Sequence, residues 1–149
     1  MIKIGSKMIQ AVSNATVPQI TVMCGSSYGA GNYGMCGRSF GPRFVFSWPN
    51  AKTSVMGAEQ AATTMAIVME DGAKRKGTTV PEAVMAGLRA KIVARFERQQ
   101  SAFYTSGLMM DDGVIDPRDT RQVVALALSV CLEAERRVVR PLSFGVGRM

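Results

Sequence analysis

Histidine is absent from all 149 residues, and that absence removes more chemistry than any motif adds. Without it no Ser-His-Asp or Cys-His triad can be assembled, nor a histidine-bearing zinc or iron centre. Cysteine is scarce: Cys24, Cys36 and Cys131 are odd in number and far apart, which fits neither a disulfide frame nor a paired-cysteine metal site. They read as reduced small hydrophobes. No carboxylate cluster has calcium-loop spacing. No apolar run reaches the length of a membrane span, and the opening MIKIGSKMIQAV lacks the form of a secretory signal because lysines interrupt it. The expectation is one soluble, intracellular domain or part of one, with no membrane partner. Any catalysis must then fall to backbone groups, hydroxyls, amides or a borrowed cofactor.

The charge is +7, from 18 Lys and Arg against 11 Asp and Glu, which favours anionic partners in general. The basic residues are scattered or gathered in the short AKRKG and ERRVVRP, without the interleaved aromatics of a base-stacking platform. Solvated faces and interface charge are the expectation, and nucleic acid is not.

Apolar periodicity predicts an amphipathic helix through KIGSKMIQAVSN, with Ile4, Met8 and Val12 on one face. ITVM reads as a buried parallel strand, and RFVFSW and AKTSVMG as two further short strands. A helix from Gly57 to Glu70 has Ala61, Met65 and Val68 on one face and Gly72 placed to end it. EDGAKRKGTT reads as a turn or short linker, and TVPE (Thr79–Glu82) as a capping box. It announces one long helix with Met85, Leu88, Ile92, Phe96, Gln99 and Phe103 in its stripe. Val114 and Ile115 form a minimal strand. Asp116, Pro117 and Asp119 start a last helix that turns Val124, Leu128 and Cys131 inward and carries Arg136, Arg137 and Arg140 at or beyond its negative end. An irregular tail, PLSFGVGRM, closes the chain. Strand-helix alternation on short connections predicts an α/β layered fold.

YGAGNYG (Tyr28–Gly34) has the G-x-G-x-x-G spacing of a dinucleotide cradle. That cradle needs its first glycine at a strand end and an acid about twenty residues on. Here CGSSY separates the apolar strand from Gly29, and Lys52 occupies the region where the acid should be. A phosphate loop fails because no Gly-Lys-Ser/Thr follows. What remains is a strand, a turn of Gly29, Ala30 and Gly31, and a helix containing Tyr33, Met35 and Cys36, with free N–H groups over the turn. Such groups stabilise an oxyanion without any titratable side chain. Tight packing with no ligand is the plain alternative.

TVMCGSSYGAGNYGMCGRSFGPRFVFSWPNAKTSVMGAEQAA resembles the carboxyltransferase (beta) subunit of biotin-dependent acyl-CoA carboxylases, in particular those acting on methylcrotonyl-CoA and geranyl-CoA. The likeness extends over Ile2–Met8 and Arg98–Val130. It implies a partial crotonase-like fold, a spiral of ββα units. The family's full subunit has two such domains, the first holding acyl-CoA and the second receiving carboxybiotin. Residues 1–149 match the second, starting partway into it. Ile4 stands where the family usually has histidine.

The resemblance also implies roles. Biotin rides on a separate alpha subunit, the only component that uses ATP, and delivers its carboxylate to an acyl-CoA such as 3-methylcrotonyl-CoA. The amides of Ala30 and Gly31, in the turn Gly29-Ala30-Gly31-Asn32, would hold the charge on the biotin oxygen. The extra Asn32 marks the methylcrotonyl-like branch. Gly57 would permit close approach beside the biotin pocket and Glu59 would order its loop, while Tyr28 and Tyr33 flank the turn, chiefly in packing roles. The implied partners are the biotin-bearing alpha subunit, an N-terminal carboxyltransferase domain and other copies of the beta subunit. The implied compartment is bacterial cytoplasm or mitochondrial matrix. Two competing readings are a non-catalytic assembly fragment docking to the biotin-bearing subunit, and a hydratase or isomerase of the wider crotonase group using Glu59 as its acid.

Overall fold

A computed structural model describes residues 2–139 and Gly145. After helix α1 (Ile2–Ser13) the chain makes two successive ββα units. The first is β1 (Ile20–Met23), β2 (Ser26–Tyr28) and α2 (Gly29–Gly34); the second is β3 (Phe44–Ser47), β4 (Lys52–Ser54) and α3 (Ala58–Arg75). Strands within a unit do not pair with each other. Instead β1 pairs in parallel with β3 (Ile20 opposite Phe44, Met23 opposite Ser47) and β2 with β4 (Ser26 opposite Lys52, Tyr28 opposite Ser54). The chain thus winds as a spiral that lays each unit on the one before, giving two small parallel sheets. Every crossover is long enough to join parallel strands.

A third layer begins after α4 (Glu82–Gln99) and α5 (Ala102–Gly107). Asp112 N donates to Val45 O, Ser47 N to Gly113 O and Ile115 N to Ser47 O, which makes the expected minimal strand a single parallel bridge between Ser47 and Val114. Val45 is fully buried there with Met23, Ala51 and Ala102, and Val114 packs against them. Asp116 caps the following 3-10 turn by accepting from Arg118 N, and α6 (Thr120–Arg136) completes the described chain. Arg140 and the tail from Pro141, apart from Gly145, lie outside the described residues.

The helices correct several expectations. α3 runs through Gly72 to Arg75 with Lys76 as its C-cap, and Gly77 at φ +70° closes a Schellman turn: Gly77 N donates to Lys74 O and Thr78 N to Ala73 O. Most of the expected EDGAKRKGTT linker is therefore helix. The capping box at Thr79 does not form, because Pro81 occupies the cap and Glu82 begins α4 in the first helical position, two short of where a box needs it. The long helix breaks at Gln100–Ser101. There Thr53 N takes the Gln100 carbonyl and Ala102 N donates to Ala51 O, so the sheet edge outcompetes the helix, and Phe103 ends exposed.

Apart from Met85 of α4, the buried helix positions are small residues. α3 buries Ala58, Ala61, Ala62 and Ala66 while Met65 and Val68 stay 46% and 58% exposed; α6 buries Ala127 and Cys131 but leaves Leu128 half-exposed. Alanine lets helix backbones approach closely, and the bulkier apolar residues turn outward. α1 buries no residue at all, although Met8 rests on Gly34. The accessible surface is 11332 Å² for 16.0 kDa, against roughly 7,400 Å² for a closed monomer of that mass.

Candidate functional site

The glycine stretch is built more tightly than its sequence shows. Ser26–Tyr28 is itself a strand, so Gly29 follows directly on β2 and α2 begins there. The expected separation of Gly29 from a strand was therefore wrong. What still speaks against a dinucleotide cradle is the six-residue helix and the absent acid: Lys52 lies in β4 and pairs with Glu97 at 3.2 Å. The Glu97 carboxyl is held below its ordinary range by its hydrogen bond to Lys52 first and to Gln100 second.

Two glycines are demanded by sterics. Gly29 has φ +48°, and a Cβ there would come within 2.9 Å of the Val55 carbonyl oxygen. At Gly37 a Cβ would overlap the Asn32 side-chain amide, which donates from Nδ2 to Ser27 Oγ at 2.9 Å while Gly37 N donates to Asn32 O at 2.8 Å. Asn32 is thereby locked across the turn. Met35 and Cys36 fall beyond α2, with Cys36 buried at φ +55° and its thiol pKa pushed up by that burial. Cys24, expected as a small buried hydrophobe, is exposed.

Tyr28 is the N-cap of α2 and offers no side-chain cap bond, so the first N–H groups of the helix, Ala30 and Gly31 among them, have no intrahelical acceptor. Both residues are exposed, and nothing lies within 4 Å of the Cβ position at Gly31. The Tyr28 hydroxyl instead donates to Gln100 Oε1 at 2.9 Å. Its ring faces Gly57, where an added Cβ would meet Tyr28 Cε2 at 3.9 Å and Gln60 Oε1 at 3.8 Å, ordinary contacts. Among the described residues nothing requires glycine at 57. Glu59 is exposed in the first turn of α3.

A cavity of about 610 Å³ opens beside the turn, and Gly29, Asn32 and Tyr33 line it together with Arg38, Tyr104 and Met110. Tyr33 also packs on Phe40, ring centroids 5.4 Å apart. Of the residues singled out in the sequence, Ala30, Gly31, Tyr28, Gly57 and Glu59 lie outside this lining. Three polar residues were missed. Arg38 reaches both oxygens of Asp112 (3.2 and 3.3 Å), Asp112 accepts from Val45 N at 2.8 Å, and Gln100 holds Tyr28. The pair Asp111-Asp112 before Gly113 was a readable signal, since adjacent acids at the end of an apolar segment must be bonded if buried. Gln100 gave none: the expected helical stripe ran through its neighbour Gln99. Among the described residues no three potential metal ligands come together, and no helix is long and apolar enough to cross a membrane.

A spiral of ββα units with unpartnered amides over a turn defines a crotonase-like protein. The chain belongs to the carboxyl transferase domain family, which it matches over residues 1–143. It is 48% identical, over its whole length, to a probable biotin-dependent acyl-coenzyme A carboxylase beta2 subunit of Mycobacterium tuberculosis, covering 28% of that protein. Over 99% of its length it is 49% identical to the mitochondrial methylcrotonoyl-CoA carboxylase beta chain of Dictyostelium discoideum, covering 25% of it. The crystal structure of the P. aeruginosa geranyl-CoA carboxylase beta subunit superposes with a TM-score of 0.84 at 44% identity, across 99% of this chain and 27% of that one. The chain therefore spans about a quarter of the length of the relatives it matches.

Proposed function

We propose that this chain is the biotin-facing part of a carboxyltransferase, corresponding to the C-terminal domain of the subunit, and that it serves carboxyl transfer to an acyl-CoA such as 3-methylcrotonyl-CoA. The observation that carries the reading is the set of exposed, unpartnered amides at Ala30 and Gly31 on a rigidly held turn beside a 610 Å³ cavity. The biotin group fits these residues: it is flat and uncharged with one polar edge, and the cavity offers Tyr33, Tyr104 and Met110 for its body with polar groups at Asn32 and Arg38. Bound there, biotin would supply both the carboxyl group and a base for the substrate proton from its own ring nitrogen, and the chain would need no histidine of its own.

The chain's own part is electrostatic. Ala30 N–H and Gly31 N–H would hold negative charge developing on a bound ureido oxygen, and they are aimed beforehand because Gly29 and Asn32 fix the turn. Gly57 leaves room for close approach, Glu59 stands exposed beside it in the first turn of α3, where the loop-ordering role implied by the family has no partner among the described residues, and Tyr28 and Tyr33 wall the turn. Biotin arrives on an alpha subunit, which alone uses ATP, and an N-terminal carboxyltransferase domain holds the acyl-CoA. The large accessible surface and the outward apolar faces of α3 and α6 support burial against that domain and other beta subunits. The corresponding compartment is bacterial cytoplasm or mitochondrial matrix.

The test uses the full carboxyltransferase subunit assembled with its biotin-bearing partner. Proline at 30 or at 31 removes one N–H in a first helical turn where its fixed φ is tolerated. Loss of an oxyanion donor costs on the order of 10²–10³ in kcat, so carboxylation of 3-methylcrotonyl-CoA should collapse while the partner still binds. Normal carboxylation in both variants would overturn the assignment of the donors. A wild-type assembly that binds its partner but transfers nothing would favour the assembly-fragment reading.

A further inference from the structure

Tyr28 is tied at three points. Its backbone caps α2, its ring lies against Gly57 at the cap of α3, and its hydroxyl donates to Gln100 Oε1 at 2.9 Å. Gln100 is 1% exposed, and its backbone is fixed independently: its N–H donates to Phe96 O, its carbonyl accepts from Thr53 N at 2.8 Å, and the next residue, Ser101, bridges to Lys52. Lys52 and Thr53 belong to β4, whose partner β2 leads into Tyr28. The break between α4 and α5 thus pins the edge of the small sheet and the side chain at its end simultaneously. A buried amide in such a place is costly unless bonded, and the helix gives up its continuity to put it there.

Resting on the carboxyl-transfer reading above, we infer that Gln100 is a positioning residue for the transfer step: through the Tyr28 hydroxyl it sets the direction in which the Ala30 and Gly31 amides project. It touches neither biotin nor acyl-CoA. Its effect is confined to the geometry at the developing charge, where a displacement near 1 Å costs on the order of a hundredfold in rate.

Three variants of the full subunit, assembled with its biotin-bearing partner, test this: Tyr28→Phe, Gln100→Leu and the double variant. Tyr28→Phe keeps the ring on Gly57 and loses only the hydroxyl, so it remains informative if Gln100→Leu fails to fold. Each single variant should lower kcat ten- to a hundredfold with KM for the acyl-CoA unchanged. The double variant should be no slower than the worse single one, as expected of two groups acting through one bond. Amide exchange of residues 29–32 should speed up in both singles. Full kcat in Tyr28→Phe, or multiplicative losses in the double variant, would overturn the inference. If the wild-type assembly transfers carboxylate and Ala30→Pro does not, while Tyr28→Phe is unaffected, the positioning role alone fails and the function stands.

Discussion

Between Ile20 and Gly57 the chain takes polar groups partly or fully out of solvent and binds each to another: Asn32 to Ser27, Thr21 to the Cys36 carbonyl, and the buried Ser47 to Asp111. Between Ala58 and Gln99, in the α3–α4 hairpin, it buries four alanines of α3 and Met85 of α4, with no buried polar group. The first region is fixed by directional bonds that tolerate one geometry, and the second by shape that tolerates sliding. A turn that must hold amides on a developing charge needs the first kind of support, whereas helices that only cover the sheets manage with the second. Substitutions of the same type should therefore behave differently in the two regions.

The largest effect is expected from Gly29→Ala. It would place a Cβ at φ +48° and within 2.9 Å of the Val55 carbonyl, adding backbone strain to overpacking for a loss of about 2–4 kcal/mol. Chemical denaturation should show it, together with loss of carboxyl transfer in the assembled subunit. A variant as stable as the wild type would mean that the turn is softer than its neighbours.

Ser47→Ala comes next. Ser47 Oγ donates to Asp111 Oδ2 at 2.6 Å, both residues are buried, and Asp111 Oδ1 has no other hydrogen-bond partner among the described residues. Removing the hydroxyl leaves a buried carboxyl group short of its donor, a cost of about 1–3 kcal/mol. A denaturation midpoint unchanged by Ser47→Ala would show that Asp111 draws its support from elsewhere. The companion Asp112 should hold its place, because Val45 N and Arg38 bind it independently.

How legible each region was follows from the same contrast. The strands β1, β3 and β4 and the cap at Asp116 could be read because apolar, β-branched runs and the Asp-Pro-x-Asp pattern act locally, whereas β2 (Ser26–Tyr28) has no such run and was missed. The ββα winding was legible only through the family resemblance, since short strands do not announce which partner they choose. In the hairpin, periodicity found the helices and the buried Ala61 and Met85 but wrongly turned Met65 and Val68 inward: these outrank alanine on any hydropathy scale, yet close approach buried Ala62 and Ala66. Gly72 looked like a terminator because glycine often is one, but Gly77 has the positive φ. In the site, the Gly29–Asn32 turn was visible, whereas Gln100, Arg38 and Asp112 act across 72, 74 and 67 residues of sequence, beyond the reach of any local pattern.

In the hairpin the sign should reverse. Gly72 sits inside α3 with nothing within 4 Å of its Cβ position. Gly72→Ala keeps the fold and lowers the entropy of the unfolded chain, so it should stabilise by about 0.5–1 kcal/mol. Destabilisation would indicate that this face of α3 is covered in the assembled protein, which comparing the free chain with the assembly would reveal.

The smallest effect lies at the start of α6, where only exposed groups are involved. Asp116 is held below its ordinary aspartate pKa first by the side-chain bonds from Arg118 and second by the Arg118 backbone N–H. Its folded pKa being depressed, the bonded carboxylate contributes stability that is present above the ordinary aspartate value, about 3.9, and is lost as pH falls through the lower folded value. A carbon-detected NMR titration of the Asp116 carboxyl should show the depressed midpoint. Arg118→Ala should raise it only part of the way, because the backbone donor remains whatever side chain stands at 118. A complete return to the ordinary value would mean that the cap depends on the guanidinium, and that this helix start, unlike the turn at Gly29, is held by a side chain alone.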